Sequence, residues 1–433
     1  MAAKITPASN DATRDAWVIG GNRIPFARSN GPYSHAHNQD MLVAALDGLI
    51  ERFGLEGQRM GEVAGGAVLK HARDFNLTRE SVLSTKLAAE TPAYDVGQAC
   101  GTGLEAAILV SNKIKLGQID VAIAGGVDTT SDAPLAVGDR LRRKLIAVNS
   151  ARSTAERAKA LAKIRPGDIG LDIPQNSEPR TGLSMGAHTA ITAKEWNLTQ
   201  AEQDELTVAS HHNLAAAYDS GFMDDLVTPF LGLERDQNLR ADSSLEKLAS
   251  LKPVFGGKGG TMTAGNSTPL SDGASAVLIS TEEWAKEHGH TPLARFVDSE
   301  TAAVDYVVKQ EGLLMAPAYA VPRMLARNGL SLQDFDYYEI HEAFAAQVLA
   351  TLKAWESPVF CKQRLGLDEP LGSIDRSKLN VHGGSLAAGH PFAATGGRIV
   401  AGLAKTLAQQ GSGRGLISIC AAGGQGVVAI LER

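Results

Sequence analysis

The sequence has few cysteines, no long apolar run and no excess of positive charge, and each absence excludes a class of protein. Cysteine occurs only at Cys100, Cys361 and Cys420, and an odd number at such wide spacing is no disulfide framework. No stretch approaches the roughly 20 apolar residues that would span a bilayer. The net charge is −6, so no overall positive field recruits nucleic acid. We therefore expect a soluble, cytoplasmic protein with no transmembrane segment and no nucleic-acid partner.

The bulk composition is that of a folded globular protein. At 433 residues, the chain is long enough for about three units of ordinary domain size. An apolar fraction of 44% with 21% charged residues argues against a disordered or fibrous chain. Residues 1–15 mix acidic and basic side chains without an apolar run, so neither a secretory nor a transit signal fits. We predict a loose N-terminal tail over 1–15.

Short apolar runs alternate with helical patterns, which predicts an α/β fold with buried strands. The runs lie at residues 16–19, 121–124, 276–279 and 416–419 and are bounded by Gly or Asp. Two segments repeat one order: a Gly-rich turn, a helix, a strand and a Gly-Gly pair. The first begins at Cys100 and the second at Gly389-His390-Pro391. This internal repeat predicts two similar halves whose turns meet at a shared cleft.

The stretch 138–251 interrupts this rhythm, and we interpret it as an inserted loop domain. Between residues 140 and 165 it is strongly basic and is opposed within that span only by Glu156. Such a run is typical of a solvated helix face. The alternative is attraction of an anionic thioester, a partner subunit or a lipid headgroup. The basic residues are Arg140, Arg142, Arg143, Lys144, Arg152, Arg157, Lys159, Lys163 and Arg165.

Cys100 is the candidate nucleophile. It lies among small residues that allow a sharp turn, and a periodic apolar run that would start a helix follows it. Unpaired N–H groups at a helix N-terminus stabilise a thiolate, and such settings lower a cysteine pKa from about 8.5 to roughly 3.5–7.5. A buried, inert cysteine is the alternative interpretation of the same local pattern.

Three further residues are candidates for acid–base chemistry. His390 and His341 are candidate base and hydrogen-bond donor, although a lone histidine is more often structural. Cys420 ends a predicted buried strand and is followed by Gly423-Gly424, so its thiol could point into the same cleft or could simply fill the core. Both cysteines and His390 fall at matching ends of the repeated units, where α/β folds place ligands. Together they indicate covalent thioester chemistry.

At these motifs the chain resembles the thiolase family, from about residue 16 to the end. Four motifs carry the resemblance beyond the cysteine turn. They are Thr263-Ala264-Gly265-Asn266-Ser267, Ser271-Asp272-Gly273-Ala274, Asn380-Val381-His382-Gly383-Gly384 leading to Gly389-His390-Pro391, and Cys420-Ala421-Ala422-Gly423-Gly424.

The resemblance implies the thiolase fold, in which two α-β-α halves related by an internal repeat form five layers (αβαβα) with an inserted loop domain. We expect an N-terminal thiolase domain at 16–137 and 252–288, the insert at 138–251 and a C-terminal thiolase domain at 289–433. Many thiolases have Asn-Glu-Ala-Phe where this chain has His341-Glu342-Ala343-Phe344. The histidine version is similar to the β subunit of the trifunctional fatty-acid oxidation complex, which favours degradation of 3-oxoacyl-CoA.

The resemblance also implies a role for each site residue. Cys100 is acylated, His390 takes its proton, and Cys420 acts as acid and base at C2 of acetyl-CoA. His390 and a water near His341 stabilise the enolate-like oxygen, while backbone N–H groups of Cys100 and Ala422 stabilise the tetrahedral oxyanion. The relatives' Gly residues after the cysteine are replaced here by Ala421 and Ala422, which a backbone donor should tolerate.

Coenzyme A is the expected co-substrate. The implied contacts with it are Met185, Ala264, Ser267, Thr268 and Phe344, and basic residues of the insert would meet its phosphates. Simple core packing is the alternative interpretation of Met185 and Phe344. We expect no covalently bound cofactor and no metal, because the histidines form no tight ligand cluster with the cysteines in sequence. The expected assembly is a homodimer or homotetramer, with a hydratase–dehydrogenase α subunit as a further partner.

Three alternatives stay open. A cysteine hydrolase would use Cys100 and a histidine but would have no role for Cys420. A non-catalytic thiolase-like subunit would keep the fold for binding alone. An acetyl-CoA C-acetyltransferase would run the same chemistry to make acetoacetyl-CoA.

Overall fold

The computed structural model describes residues 13–433, so the predicted tail lies outside it up to residue 12. Of the remaining tail residues, Arg14 is not loose. Its guanidinium donates to the carbonyl oxygen of Ile119 at 2.8 Å and pairs with Asp120 at 2.6 Å. The predicted tail is therefore wrong at this residue.

The strands, in chain order, are β1 Trp17–Arg23, β2 Ala27–Arg28, β3 Glu62–Gly65, β4 Ala93–Asp95, β5 Val121–Asp128, β6 Ala136–Val137, β7 Leu171–Asp172, β8 Pro253–Phe255, β9 Met262–Thr263, β10 Ser271–Ser280, β11 Ala294–Ala303, β12 Tyr337–Ile340, β13 Arg414–Ala421 and β14 Gln425–Glu432.

The helices are α1 Asn38–Phe53, α2 Leu77–Leu83, α3 Thr102–Lys115, α4 Asp139–Ser150, α5 Thr154–Leu161, α6 Met185–Glu195, α7 Gln200–Asp219, α8 Leu245–Ala249, α9 Glu282–Glu287, α10 Ala316–Asn328, α11 Ala345–Glu356, α12 Pro358–Phe360, α13 Ser385–Ala388 and α14 Ala394–Gln410.

The main sheet has the strand order β12-β13-β14-β11-β1-β10-β5-β3-β4, and its two halves mirror each other. In one half β3 is parallel to β5, which is antiparallel to β10, which is antiparallel to β1. In the other half β12 is parallel to β13, which is antiparallel to β14, which is antiparallel to β11. Only two residue pairs join β1 to β11, Trp17 with Arg295 and Val18 with Ala294. The internal repeat predicted from the two turns is thus a repeat of topology.

The layers follow from alternation along the buried strands. In β10, Val277 and Ile279 pack in one cluster with residues of α3 and α14, whereas Leu278 packs in another with residues of α1. In the other half, Ile417 belongs to the central cluster and Leu416 to the cluster with α10. Because successive strand side chains point to opposite faces, α3 and α14 lie between two half-sheets that are covered outside by α1 and α10. This is the predicted five-layer order.

The insert is mostly helical, and its basic part is exposed. Helices α4 and α5 have no buried residue. Part of their charge is balanced from outside the basic span, because Arg143 pairs with Asp139 at 2.6 Å and Lys144 pairs with Asp168. The proposed domain boundaries, including 138–251, stay a prediction. Within residues 13–433, no helix combines the length and the apolar character needed to cross a membrane.

Candidate active site

The N-termini of α3 and α14 cross closely, and this crossing brings the two predicted turns together. A Cβ added at Gly103 would lie 2.5 Å from the carbonyl oxygen of Ala393, and one at Gly396 would lie 2.1 Å from the backbone nitrogen of Leu104. Only glycine fits at either position, because real Cβ atoms do not approach backbone so closely. The glycines after Cys100 and His390 therefore set the distance between the two halves of the site.

Cys100 lies in a short 3-10 turn, Ala99–Gly101, directly before α3. Ala99 has φ = 47°, a left-handed conformation that costs a non-glycine residue about 1–2 kcal/mol. The strain is concentrated at the residue before the nucleophile, as expected where the fold must aim one side chain.

His390 contacts the thiol directly. Its Nε2 lies 3.0 Å from Sγ of Cys100, and its Nδ1 lies 2.7 Å from Oγ1 of Thr395. For Nε2 to accept the thiol proton, the ring must carry its own proton on Nδ1, which then donates to Thr395. The geometry is that of a nucleophile, a base and a third group that orients the base.

The resting pair is a neutral thiol and a neutral imidazole. Burial raises the pKa of Cys100 to about 12, against the lowering effect of the backbone N–H groups of Ala422 and Cys100. Burial, helped by the positive charge of Arg398, lowers the pKa of His390 to about 3. The predicted lowering of the cysteine pKa by the helix N-terminus is therefore wrong. The helix and backbone donors are present, but desolvation of the thiolate outweighs them.

Cys420 is the penultimate residue of β13 and is buried. Burial and the neighbouring Cys100 raise the pKa of its thiol. A high pKa makes the thiolate a strong base, which suits proton transfer at carbon. Both cysteines, His390 and Ala422 line one cavity of about 510 Å³.

His341 lies behind this group. Its ring centroid is 4.2 Å from that of His390, and its Nδ1 is 3.0 Å from Oγ of Ser385. Burial, followed by the neighbouring His390 and Arg398, lowers the pKa of His341 well below its usual value. One ring nitrogen of each histidine and Sγ of Cys100 all lie within 4.8 Å of one another. His341, His390 and Cys100 are therefore far apart in the sequence but close together in space, and the family chemistry needs no metal.

The predicted coenzyme A contacts divide between two neighbouring cavities. Met185, Thr268 and Phe344 line the cavity that holds the two thiols. Ala264 and Ser267 line an adjacent groove of about 700 Å³. Pro269 and Leu270 line both. The predicted set is thus distributed over two adjoining cavities, one of which contains Cys100.

Several residues that organise the site carried no signal in the sequence. Asp128, the last residue of β5, accepts hydrogen bonds from the backbone N–H groups of Val68, Leu69 and Ala393 at 2.8–2.9 Å. It thereby ties the turn after His390 to the opposite half. A polar residue at the carboxyl end of a buried strand is the one pattern that could have indicated it. Thr395, Ser385 and Arg398 are recognisable only from the hydrogen bonds that link them to the two histidines in the folded protein.

Comparison with known proteins decides the family. The thiolase N-terminal domain family matches residues 16–283, and the thiolase C-terminal domain family matches residues 290–433. The chain belongs to the thiolase family. Its relatives include a 3-ketoacyl-CoA thiolase of Pectobacterium carotovorum, 40% identical over 96% of this chain and 95% of that protein. One from Alteromonas mediterranea is 38% identical over the whole of both chains.

Solved thiolases have the same fold as this one. The acetyl-CoA acetyltransferase of Bacillus anthracis superimposes with a TM-score of 0.80 at 29% identity, covering 98% of this chain and 100% of that one. Human mitochondrial 3-ketoacyl-CoA thiolase in complex with CoA gives 0.79 at 28% identity, covering 98% and 99%. The predicted family and fold class are confirmed.

Proposed function

We propose that this thiolase is an acetyl-CoA C-acyltransferase, which cleaves 3-oxoacyl-CoA with coenzyme A through an acyl group on Cys100. The observation that carries the proposal is the 3.0 Å contact between Cys100 Sγ and His390 Nε2 in a cavity that Cys420 also lines. A hydrolase needs no second thiol there, and a subunit kept only for binding needs none of the three groups aligned. The names of the bacterial relatives also favour 3-oxoacyl-CoA.

In the first half-reaction His390 takes the thiol proton as Cys100 Sγ attacks the 3-oxo carbon. Backbone N–H groups of Cys100 and Ala422 stabilise the oxyanion. The C2–C3 bond then breaks, and the electron pair passes to the acetyl-CoA enolate. Cys420 protonates C2, acetyl-CoA leaves, and the acyl group remains on Cys100.

In the second half-reaction the thiol of coenzyme A gives its proton to the Cys420 thiolate and attacks the acyl carbonyl. Cys100 departs as a thiolate and recovers its proton from His390. Every proton returns to its starting group. The reverse sequence would make acetoacetyl-CoA from two acetyl-CoA molecules.

Coenzyme A would enter through the groove that borders the thiol cavity. Arg28, Arg240 and Lys247 line it beside Ala264 and Ser267. Burial and the nearby charge of Arg240 lower the pKa of Arg28, so two like charges approach each other there, as expected of an anion site. Residues 140–165 line neither cavity. The insert's contribution to phosphate binding would therefore come from Arg240 and Lys247 instead of the basic helices.

We place the reaction in cytoplasmic fatty-acid β-oxidation by a homodimer or homotetramer, with a hydratase–dehydrogenase α subunit as partner. The 3-ketoacyl-CoA thiolase names of the relatives support the substrate class that this pathway would supply. Light scattering of the purified chain tests the assembly, and co-purification of an enoyl-CoA hydratase activity from the source cells tests the partner.

The decisive experiment measures thiolysis of 3-oxoacyl-CoA substrates of increasing chain length. Wild-type enzyme without coenzyme A should retain radiolabelled acyl group, and Cys100→Ala should retain none. Cys420→Ser should still accept acyl group from acyl-CoA but lose hydrogen exchange at C2 of acetyl-CoA. Release of free acid without coenzyme A, or absence of a covalent acyl-enzyme, would contradict the proposal.

A further inference from the structure

A chain of buried hydrogen bonds runs from Arg398 through Ser385 to His341. Arg398 Nη2 donates to Ser385 Oγ at 3.2 Å, and Ser385 Oγ lies 3.0 Å from His341 Nδ1. Ser385 is completely buried and His341 is 2% exposed. Burial lowers the pKa of Arg398, and the nearby carboxyls of Glu339 and Glu342 oppose this shift.

The direction of each bond in this chain is determined. A guanidinium has donors only, so Ser385 Oγ must accept from Arg398. Among residues 13–433 of the protein, the other hydrogen-bond partner of Ser385 Oγ is His341 Nδ1. The single hydroxyl proton therefore goes to Nδ1, because otherwise it would be buried without an acceptor. A neutral ring that accepts at Nδ1 carries its proton on Nε2.

The Nε2 atom of His341 is the free end of this chain. It is buried and has no hydrogen-bond partner among residues 13–433. A buried donor without a partner costs about 1–3 kcal/mol, so it is expected to serve a group that arrives with the substrate. The ring is tilted by 47° against that of His390, which contacts Cys100, and the two ring centroids are 4.2 Å apart.

We propose that Ser385 and Arg398 are positioning residues that fix the proton of His341 on Nε2, so that this N–H donates to the enolate oxygen or to the water that binds it. The proposal rests on the proposed acyltransferase function. His341, whose ring is tilted against that of His390, is thereby held as an Nε2–H donor, whereas attack by Cys100 requires His390 in the opposite tautomer, with its proton on Nδ1. One ring is thus a base toward Cys100, and the other is a neutral donor.

The test uses Ser385→Ala, with Ser385→Thr as the matched variant that keeps the hydroxyl. Two reactions separate the enolate step from acylation: deuterium exchange at C2 of acetyl-CoA, and single-turnover transfer of an acyl group to Cys100. Removing a hydrogen-bond donor to a developing oxyanion lowers the rate about 100- to 1,000-fold. Loss of control over the His341 tautomer should lower the rate by a smaller factor, because the donor is still present in part of the molecules. We expect exchange to fall about 10- to 100-fold in Ser385→Ala, acylation to change less than threefold, and Ser385→Thr to recover most of the exchange.

The tautomer itself is read by nitrogen NMR of histidine-labelled protein, with the His341 signal assigned from a His341→Asn variant. The wild-type signal should be that of the Nε2–H form, and in Ser385→Ala and Arg398→Met it should shift towards a mixture. An Nδ1–H signal in the wild type, an unchanged signal in both variants, or an equal fall of exchange and acylation would overturn the proposal. If instead the wild-type enzyme neither exchanges nor acylates, the proposed function itself has failed.

Discussion

Replacing Thr395 with valine tests how the base is held. Thr395 is completely buried, and its Oγ1 lies 2.7 Å from Nδ1 of His390. Valine has nearly the same shape and is also β-branched, so the change removes a hydrogen bond with little change in packing or helix geometry. The structure predicts slower acylation in a protein that remains folded.

The size of the effect follows from the charge on His390. In the resting enzyme the bond joins neutral groups, which contributes about 0.5–1.5 kcal/mol net, whereas a bond to a charged donor contributes about 1.5–3 kcal/mol. His390 becomes charged only as it takes the Cys100 proton. The difference of roughly 1–1.5 kcal/mol acts on the transition state alone and corresponds to about tenfold in rate.

The assay is rapid-quench release of coenzyme A from acyl-CoA in a single turnover. Thr395→Val should acylate about tenfold more slowly than wild type, and Thr395→Ser, which keeps the acceptor, should lie within about threefold. Thermal unfolding checks that both variants are folded. If Thr395→Val acylates within twofold of wild type, or if the serine variant is equally slow, Thr395 does not orient the base.

Three further predictions concern the Cys100 thiol, the hydrogen bonds of Asp128 to the turn after His390, and the groove lined by Arg240. Because the pKa of Cys100 is raised to about 12 and that of His390 lowered to about 3, inactivation by iodoacetamide should show no inflection between pH 5 and 9; a midpoint in that range would mean a stabilised thiolate. Asp128→Asn turns an amide donor towards the N–H of Ala393, so it should lower the free energy of unfolding by about 1–3 kcal/mol and the rate of thiolysis more than tenfold. An unchanged melting temperature and activity would contradict the role of Asp128 in holding the turn after His390. Arg240→Gln should raise KM for coenzyme A about 3- to 10-fold without changing kcat, and an equal effect with a pantetheine substrate lacking the phosphates would exclude a phosphate contact.

The sequence predicted the parts of this site that depend on local pattern. Cys100 and His390 each lie in a glycine-containing turn before a helix, and Cys420 lies at the end of a buried strand. Since the two halves repeat one topology, such positions must meet at one edge of the sheet. The layered fold could be predicted for the same reason, because apolar runs and helical periods are properties of neighbouring residues.

What could not be predicted depends on contacts between distant segments. Ser385 lies 44 residues from His341 in the sequence and reaches it only in the folded protein, whereas Thr395 lies five residues from His390 and orients it through the conformation of the turn before α14. The sign of the pKa shift at Cys100 was wrong because the extent of burial is a property of the whole fold. The split of the coenzyme A contacts between two cavities likewise reflects the course of the loop after β9.

The glycine crossing of α3 and α14 makes the chemistry sensitive to very small movements. Cys100 and His390 lie just before the two helices that cross at these glycines, so a shift of one helix along the other changes the distance between Cys100 Sγ and His390 Nε2. Mild heating or a solvent that loosens the contact between α3 and α14 should abolish activity while the secondary structure is still intact. A loss of enzyme activity should therefore reveal a disturbed contact between the two helices before a spectroscopic signal of folding changes.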